Sequence, residues 1–201
     1  MSVAPAVILA SASHSRRDML RRAGVSLRVE PAHIDEDEVK AALRAAAAGA
    51  PHAAETLAEM KAAKISARHP EALVIGADQI LDCDGRWFEK PRDLAAAAAQ
   101  LRALSGKRHT LATGVCLVGG GRRLWHRNET ATLTMRPLSD DFIADYLAAI
   151  GDEALSTVGA YKLEGLGAQL FADIDGDFFT ILGLPLLPVL DILREQGVLR
   201  R

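Results

Sequence analysis

Cysteine is scarce in this 201-residue chain. Cys83 and Cys116 are the only two, which fits neither a disulfide framework nor a zinc spacing. The six histidines include no H-x-x-x-H pair, so a zinc enzyme is not expected. Neither sign of charge dominates. With 24 basic and 26 acidic side chains the formal net charge is −2, which leaves no basic field for general nucleic-acid binding. No segment approaches the 18 or so uncharged apolar residues that a membrane span needs. Val7 to Ala10 is too short for a secretory signal and has no basic region before it. These absences point to a cytoplasmic, reduced protein with no membrane and no nucleic-acid partner. No internal repeat and no disordered tail stands out. What remains, 49% apolar and 25% charged residues, is ordinary for a soluble globular chain. The length allows a sizeable core, as one domain or two small lobes.

The chain is organised around Leu73-Val74-Ile75-Gly76-Ala77-Asp78-Gln79-Ile80-Leu81. Apolar residues on both phases of the period-2 pattern predict a strand buried on both faces. Asp78 and Gln79 stand inside it. Burying an ionised carboxylate is costly unless a cation or hydrogen-bond donors offset it. Gly76 and Ala77 leave room for something bulky to approach the backbone. Either Asp78 marks the strand's end, where polar residues are common, or it is a site carboxylate at the mouth of a sheet, where α/β folds bind ligands.

Around that strand, Val7-Ile8-Leu9-Ala10 predicts a short buried strand, broken by Ser11 to Ser15. Arg16 to Ala23 then forms a helix ending at Gly24, with Ser13 or Ser15 as N-cap. Leu27 to Val29 can be a second strand. Asp35 to Arg68 reads as two helices interrupted at Gly49-Ala50-Pro51, the second burying Leu57, Met60 or Lys61, and Ile65. Asp84-Gly85 signals a hairpin turn into Arg86-Trp87-Phe88. Asp93 caps a helix from Leu94 to Leu104. His109 to Val118 and Arg123 to Met135 predict a long, half-exposed antiparallel hairpin. Ser139 caps a helix closed by Gly151, and a Gly-rich loop region runs from Val158 to Gly167. A strand follows at Gln169 to Ile174. Phe178 to Pro185 reads as core leading into a helix through Glu195. Parallel-type strands linked by helices, plus hairpins, predict a mixed α/β sheet in two lobes.

Four stretches can carry chemistry. The first turn offers a helix N-terminus with unpaired N–H groups, the hydroxyls of Ser11, Ser13 and Ser15, and two guanidinium forks, Arg16 and Arg17, suited to phosphate oxygens. It is not a Walker A loop, and a surface cap with solvated arginines explains it equally well. Asp35-Glu36-Asp37-Glu38 is mostly a dipole-favoured helix start, although one of the four can reach a divalent cation shared with substrate phosphates. Lys61 and Lys64 lie one turn apart on a helix, where lysines are mostly solubility residues, whereas Lys90 sits where a strand stops before Pro91. A basic set facing a carboxylate pair is what phosphoryl chemistry needs. In Gly159 to Gly167, Glu164 is a candidate acceptor of base N–H groups; a plain flexible loop is the alternative.

Taken in order, these blocks resemble the Maf family, the septum-formation-associated nucleotide pyrophosphatases. The residues that carry the likeness are Leu9 to Arg17, Ile34-Asp35-Glu36, Lys61-Ala62, Gly76-Ala77-Asp78, Lys90-Pro91, Leu104 to His109 and Gly183-Leu184-Pro185-Leu186. They span nearly the whole length. The resemblance implies an inosine-triphosphatase-like α/β fold over residues 1–201, a mixed sheet flanked by helices, as two lobes around a central cleft. It also implies Mg²⁺- or Mn²⁺-dependent hydrolysis of a nucleoside triphosphate to monophosphate and pyrophosphate. By position Asp78 is the catalytic carboxylate and Glu36 its acidic helper, the two carrying the metal. Arg16, Lys61 and Lys90 would hold the triphosphate, with the Ser11 to Ser13 loop cradling it. The discriminating positions fall on Ser15, Gln79 and Glu164. Gln79 with Glu164 looks like the 7-methyl-GTP branch, since the dTTP/UTP branch has Thr and Gln there. Ser15 departs from both branches, which have Trp or Arg, and His14 replaces the usual Pro; both departures bear on base preference, not on reaction type.

In that chemistry water attacks the α-phosphorus while charge builds on the departing pyrophosphate, and the metal with the Lys/Arg set neutralises it. Asp78 would accept the water's proton, hold the metal, or both. An ionised Glu164 would accept N–H donors from a guanine edge, and the positive charge of an N7-methylated ring would favour it further. The expected role is house-cleaning of modified nucleotides, with a homodimer plausible from the family. The rivals are a dTTP/UTP-preferring pyrophosphatase, a nucleotide-binding regulator of septum formation with little turnover, and a nucleotidyl- or phosphotransferase using the same residues.

Overall fold

The structure, a computed structural model, describes residues 5–200; residues 1–4 and 201, on which the expectation of no disordered tail falls, lie outside the described residues. Seven strands form one mixed sheet flanked by helices, as the sequence patterns predict. In chain order they are β1 (Val7–Leu9), β2 (Arg28–Val29), β3 (Leu73–Cys83), β4 (Arg86–Phe88), β5 (Arg108–Gly119), β6 (Arg122–Met135) and β7 (Phe171–Asp175). The strand order is β2-β1-β3-β5-β6-β7, and β4 pairs with β3 off this path. The helices are α1 (His14–Arg22), α2 (Glu36–Ala45), α3 (Ala50–Ser66), α4 (Leu94–Leu104), α5 (Asp140–Ile150), α6 (Phe178–Ile181) and α7 (Leu186–Glu195). Among the described residues, no helix is long and apolar enough to cross a membrane. The chain divides into two compact units, one of residues 1–79, 113–129 and 178–201, the other of residues 80–112 and 130–177.

In the first unit β1 runs parallel to both β2 and β3, with Leu9 opposite Val29 and Ile75. Alternation along the strands sorts the apolar residues into two clusters. Val7, Leu9, Leu73, Ile75 and Ala77 pack with Met19 and Leu20 of α1 and with Val189, Ile192 and Leu193 of α7. Ile8, Ala10, Val74 and Cys116 pack with Ala58, Ala62 and Ile65 of α3. That second layer supplies the bulky neighbour expected at the Gly76 backbone. The bulky object at its backbone is α3, since a Cβ on Gly76 would collide with the carbonyl oxygen of Ala58. Gly114 on β5 serves the same purpose, its added Cβ lying 2.5 Å from the Ala54 carbonyl carbon. An alanine-rich helix face against two glycines lets α3 sit directly on the sheet.

In the second unit β4 returns antiparallel along the end of β3, Leu81 opposite Phe88. β7 pairs antiparallel with β6, Leu133 opposite Ile174. Asp93 and Ser139 cap α4 and α5 as expected, each accepting a backbone N–H of the first turn. The Gly-rich region contains two short 3-10 turns, Val158–Ala160 and Leu166–Leu170. The hairpin is less symmetric than its sequence suggests. β5 is buried along almost its whole length, whereas β6 is mostly exposed up to Glu129 and only then alternates, burying Ala131, Leu133 and Met135. The pairing is the reason: β5 lies between β3 and β6, whereas β7 covers β6 only from Thr132 to Met135.

Candidate functional site

Asp78 stands on the β3 phase shared with Val74 and Gly76, the phase that faces α3. It is 5% exposed. Its Oδ1 accepts a hydrogen bond from Lys61 Nζ of α3 at 2.6 Å. The same ammonium lies 2.6 Å from Glu36 Oε1, so Lys61 spans both carboxylates. The close seating of α3 on Gly76 sets this geometry, because Lys61 projects from the same helix. Of the two residues competing for the buried helix face, Lys61 is buried and Met60 is 39% exposed. Glu36 reaches the centre from the first turn of α2. Asp35 is the N-cap, accepting from Glu38 N at 3.0 Å, and Asp37 and Glu38 are exposed. Lys64 Nζ donates to the His33 carbonyl just before α2, which ties that helix start to α3.

Arg16 joins from α1, whose N-cap is Ser13; capping there starts the helix at His14, two residues before the expected start. Arg16 is buried and fully oriented. Its Nη1 donates to Ser11 Oγ at 3.1 Å and to the Ala77 carbonyl at 2.9 Å, and its Nε to the Gly183 carbonyl at 2.7 Å. Ser11 Oγ also accepts from Ser13 N. Nη2 has no hydrogen-bond acceptor among the described residues. Burial pulls the guanidinium below its ordinary pKa, against Asp78 and Glu36, which raise it. For Glu36, burial raises the carboxyl, but Lys61, Lys40 and Arg16 outweigh it and hold it below its ordinary value. Lys40, one turn along α2, is buried with Nζ 3.8 Å from Glu36 Oε2. Three cations therefore surround two carboxylates, a local excess of positive charge suited to an anion.

The other sequence candidates each have their own surroundings. Arg17 donates from Nε to Asp18 at 2.8 Å, a contact that raises its pKa. Ser15 is half-buried in the first turn of α1. Gln79 lies on the opposite phase of β3 from Asp78. Its Nε2 donates to Thr113 Oγ1 at 2.9 Å and to the Thr180 and Ile181 carbonyls at 3.0 and 3.2 Å. Lys90 and Glu164 belong to the second unit, and both are exposed, Lys90 after β4 and Glu164 in the turn before Leu166–Leu170.

The donor set suits a hard divalent cation only in part. No group of three or more His, Cys, Asp or Glu is placed to hold one among the described residues. However, Asp78 Oδ2 is buried with no hydrogen-bond partner among them, and Glu36 supplies a second carboxylate. One or two carboxylates completed by substrate phosphate oxygens is the way Mg²⁺ is commonly held. On that test the residues fit.

A family model described as "Maf-like protein" matches residues 6–196. The chain belongs to the Maf family. A "Nucleoside triphosphate pyrophosphatase" of Paramagnetospirillum magneticum is 53% identical over 96% of this chain and 99% of its own length. A second protein of that description, from Granulibacter bethesdensis, is 50% identical over 96% of this chain and 98% of its own. A "7-methyl-GTP pyrophosphatase" of Rhizobium etli is 52% identical over 97% of this chain and 98% of its own. For this Maf chain, sequence reasoning passed over Lys40, Thr113 and Thr180, and read Gly183 only as part of a resemblance block. Lys40, at i+4 from Glu36, was visible as a helical pair. Thr113 carried no signal inside an apolar strand.

Proposed function

We propose that this chain hydrolyses a nucleoside triphosphate to the monophosphate and pyrophosphate with the help of Mg²⁺ or Mn²⁺. The observation that carries the reading is the buried Asp78 carboxylate, with one oxygen held by Lys61 and the other free of hydrogen bonds. Lysine and arginine around it would take the phosphate oxygens: Lys61 by exchanging a carboxylate for a phosphate, Arg16 through Nη2. The free Oδ2 would accept the proton of a water attacking the α-phosphorus. Asp78 and Glu36 would hold the metal, which when bound neutralises charge on the leaving pyrophosphate. Ser11 and Ser13 line the turn in which Arg16 is set. Lys90 is assigned to the phosphates, and Glu164 to the base, on the family resemblance.

The base we favour is a guanine carrying an N7 methyl group. Gln79 with Glu164 is the combination of that branch, and two Rhizobium relatives at 52% and 50% identity are described as 7-methyl-GTP pyrophosphatases. Two buried free cysteines suit a reducing cytoplasm.

A panel of triphosphates with Mg²⁺, assayed for pyrophosphate, tests the reaction and the base together. Release of orthophosphate would mean cleavage at the β–γ bond and would sink the mechanism. Asp78→Asn should retain the Lys61 hydrogen bond and the fold and lose nearly all turnover. Activity within a few-fold of wild type would remove Asp78 from the chemistry.

A further inference from the structure

We propose that Gln100 is a positioning residue for both ends of the nucleotide, its one amide holding the Lys90 segment and the Gly159–Gly167 loop in place together. The proposal rests on the reading of Lys90 as a phosphate ligand and of Glu164 as the acceptor for the base. Gln100 projects, half-buried, from the second half of α4. Its Nε2 donates to the Glu89 carbonyl at 2.8 Å, and its Oε1 accepts from Gly159 N at 3.2 Å. The two partners fix the orientation of the amide, since a flipped group would set oxygen against oxygen and N–H against N–H. All three segments belong to the second unit.

Each contact holds backbone outside the strands and α-helices. β4 ends at Phe88, so Glu89 and Lys90 lie beyond its ladder, and Pro91 has no N–H to donate. Gln100 fixes the carbonyl immediately before Lys90. At its other partner, Gly159 has φ +79°, and a Cβ there would lie 2.6 Å from the Tyr161 ring and 2.7 Å from Leu81 Cδ1. Beyond Gly159 the Tyr146 hydroxyl donates to the Ala160 carbonyl at 3.2 Å and Thr157 Oγ1 to the Tyr161 carbonyl at 2.8 Å. The Tyr161 hydroxyl pairs with His109 Nε2 at 2.8 Å. The loop is thus pinned as far as Tyr161, and Glu164 follows in a turn closed by Gly165 N on the Lys162 carbonyl at 3.3 Å. Losing the amide frees the backbone before Lys90 and the start of the Glu164 loop at once.

Calorimetric binding with Mg²⁺ present reads the two arms separately. Inorganic tripolyphosphate reports on the phosphate arm, and the ratio of affinities for 7-methyl-GMP and UMP reports on the base arm. Gln100→Met keeps the length of the side chain and removes both hydrogen bonds. It should weaken tripolyphosphate about three- to tenfold and lower the base ratio by a similar factor, the scale of one hydrogen bond per arm. Gln100→Glu keeps an acceptor for Gly159 N but has no donor for Glu89. It should weaken tripolyphosphate at least as much, yet hold the base ratio at or above the wild-type value. In a Lys90→Met background Gln100→Met should cost tripolyphosphate nothing more, and in a Glu164→Gln background it should leave the base ratio where it stands. Wild-type binding by Gln100→Met, a loss on one readout only, a base ratio that falls as far in Gln100→Glu, or full losses in those backgrounds would each overturn the proposal. Wild-type protein that binds 7-methyl-GMP no better than UMP would overturn the base assignment and this proposal with it. Wild-type protein that shows that preference but releases no pyrophosphate from triphosphates would overturn the proposed function and leave the binding cycles decisive here.

Discussion

Lys61→Met is the most informative perturbation of this centre. The side chain bridges Glu36 and Asp78 at 2.6 Å each, and Met keeps the unbranched stem while deleting the charge. The two carboxylates then fare differently. Glu36, with 38% of its side chain exposed, can rehydrate; Asp78, at 7%, cannot. Breaking a buried pair by removing one partner costs about 3–5 kcal/mol. At roughly 2–4 °C per kcal/mol for a chain of this size, the melting temperature should fall by about 6–20 °C. Adding Asp78→Asn should recover at least ~1 kcal/mol, because the stranded charge is gone although a second contact residue has been changed. Urea unfolding of wild type, both single variants and the double variant measures the cycle. A Lys61→Met protein within ~1 kcal/mol of wild type, or strictly additive losses, would refute the claim that Lys61 neutralises a buried Asp78.

Further outcomes follow from other parts of the molecule. Gly76→Ala should destabilise by about 1–3 kcal/mol or more through overpacking against Ala58 of α3, and should lower turnover with it, since α3 carries Lys61; unchanged urea unfolding would show that the helix can move away. His109 is buried in the second unit, 2.8 Å from the Tyr161 hydroxyl, and burial depresses its pKa to about 4 from 6.5. The unfolded chain therefore takes up the proton first as pH falls, so the stability this neutral imidazole contributes is complete above 6.5 and is lost between 6.5 and about 4. From pH 7.5 to 4.5 the loss is about 2–3 kcal/mol, and His109→Leu should flatten that slope; equal slopes would contradict it. Glu164→Gln should reorder the bases while leaving tripolyphosphate affinity as it was, and an unchanged order would release Glu164 from the base.

Much of the fold is legible in the chain because local physics carries it. Asp93 and Ser139 each accept a first-turn N–H as helix caps, and the doubly apolar phase of Leu73 to Leu81 predicts a strand buried on both faces. The centre is less legible. Lys61 and Met60 are neighbours on one helix, and period alone left both as candidates for the buried face; packing against Gly76 and Asp78 chose the lysine. Glu36 stood among four carboxylates that look alike in sequence, and the direction of α2 singled it out. Gly76 marks space for something bulky, and only the fold shows that the chain's own helix α3 takes it. Gly183 and Arg16 lie 167 residues apart, a separation over which no local pattern carries information.

By itself the sequence determined what the chain is made of: strands and helices with their caps, no uncharged apolar run of membrane-spanning length, no zinc spacing, and a carboxylate inside an apolar strand that something had to satisfy. Those features depend on neighbours within a turn or a pleat, where propensity and periodicity act. Only the tertiary structure decided what satisfies that carboxylate. One oxygen took Lys61 and the other stayed free, because the approach of α3 to the sheet is set by glycines and alanines distributed over three segments, and a contact of that kind exists only once all of them have packed.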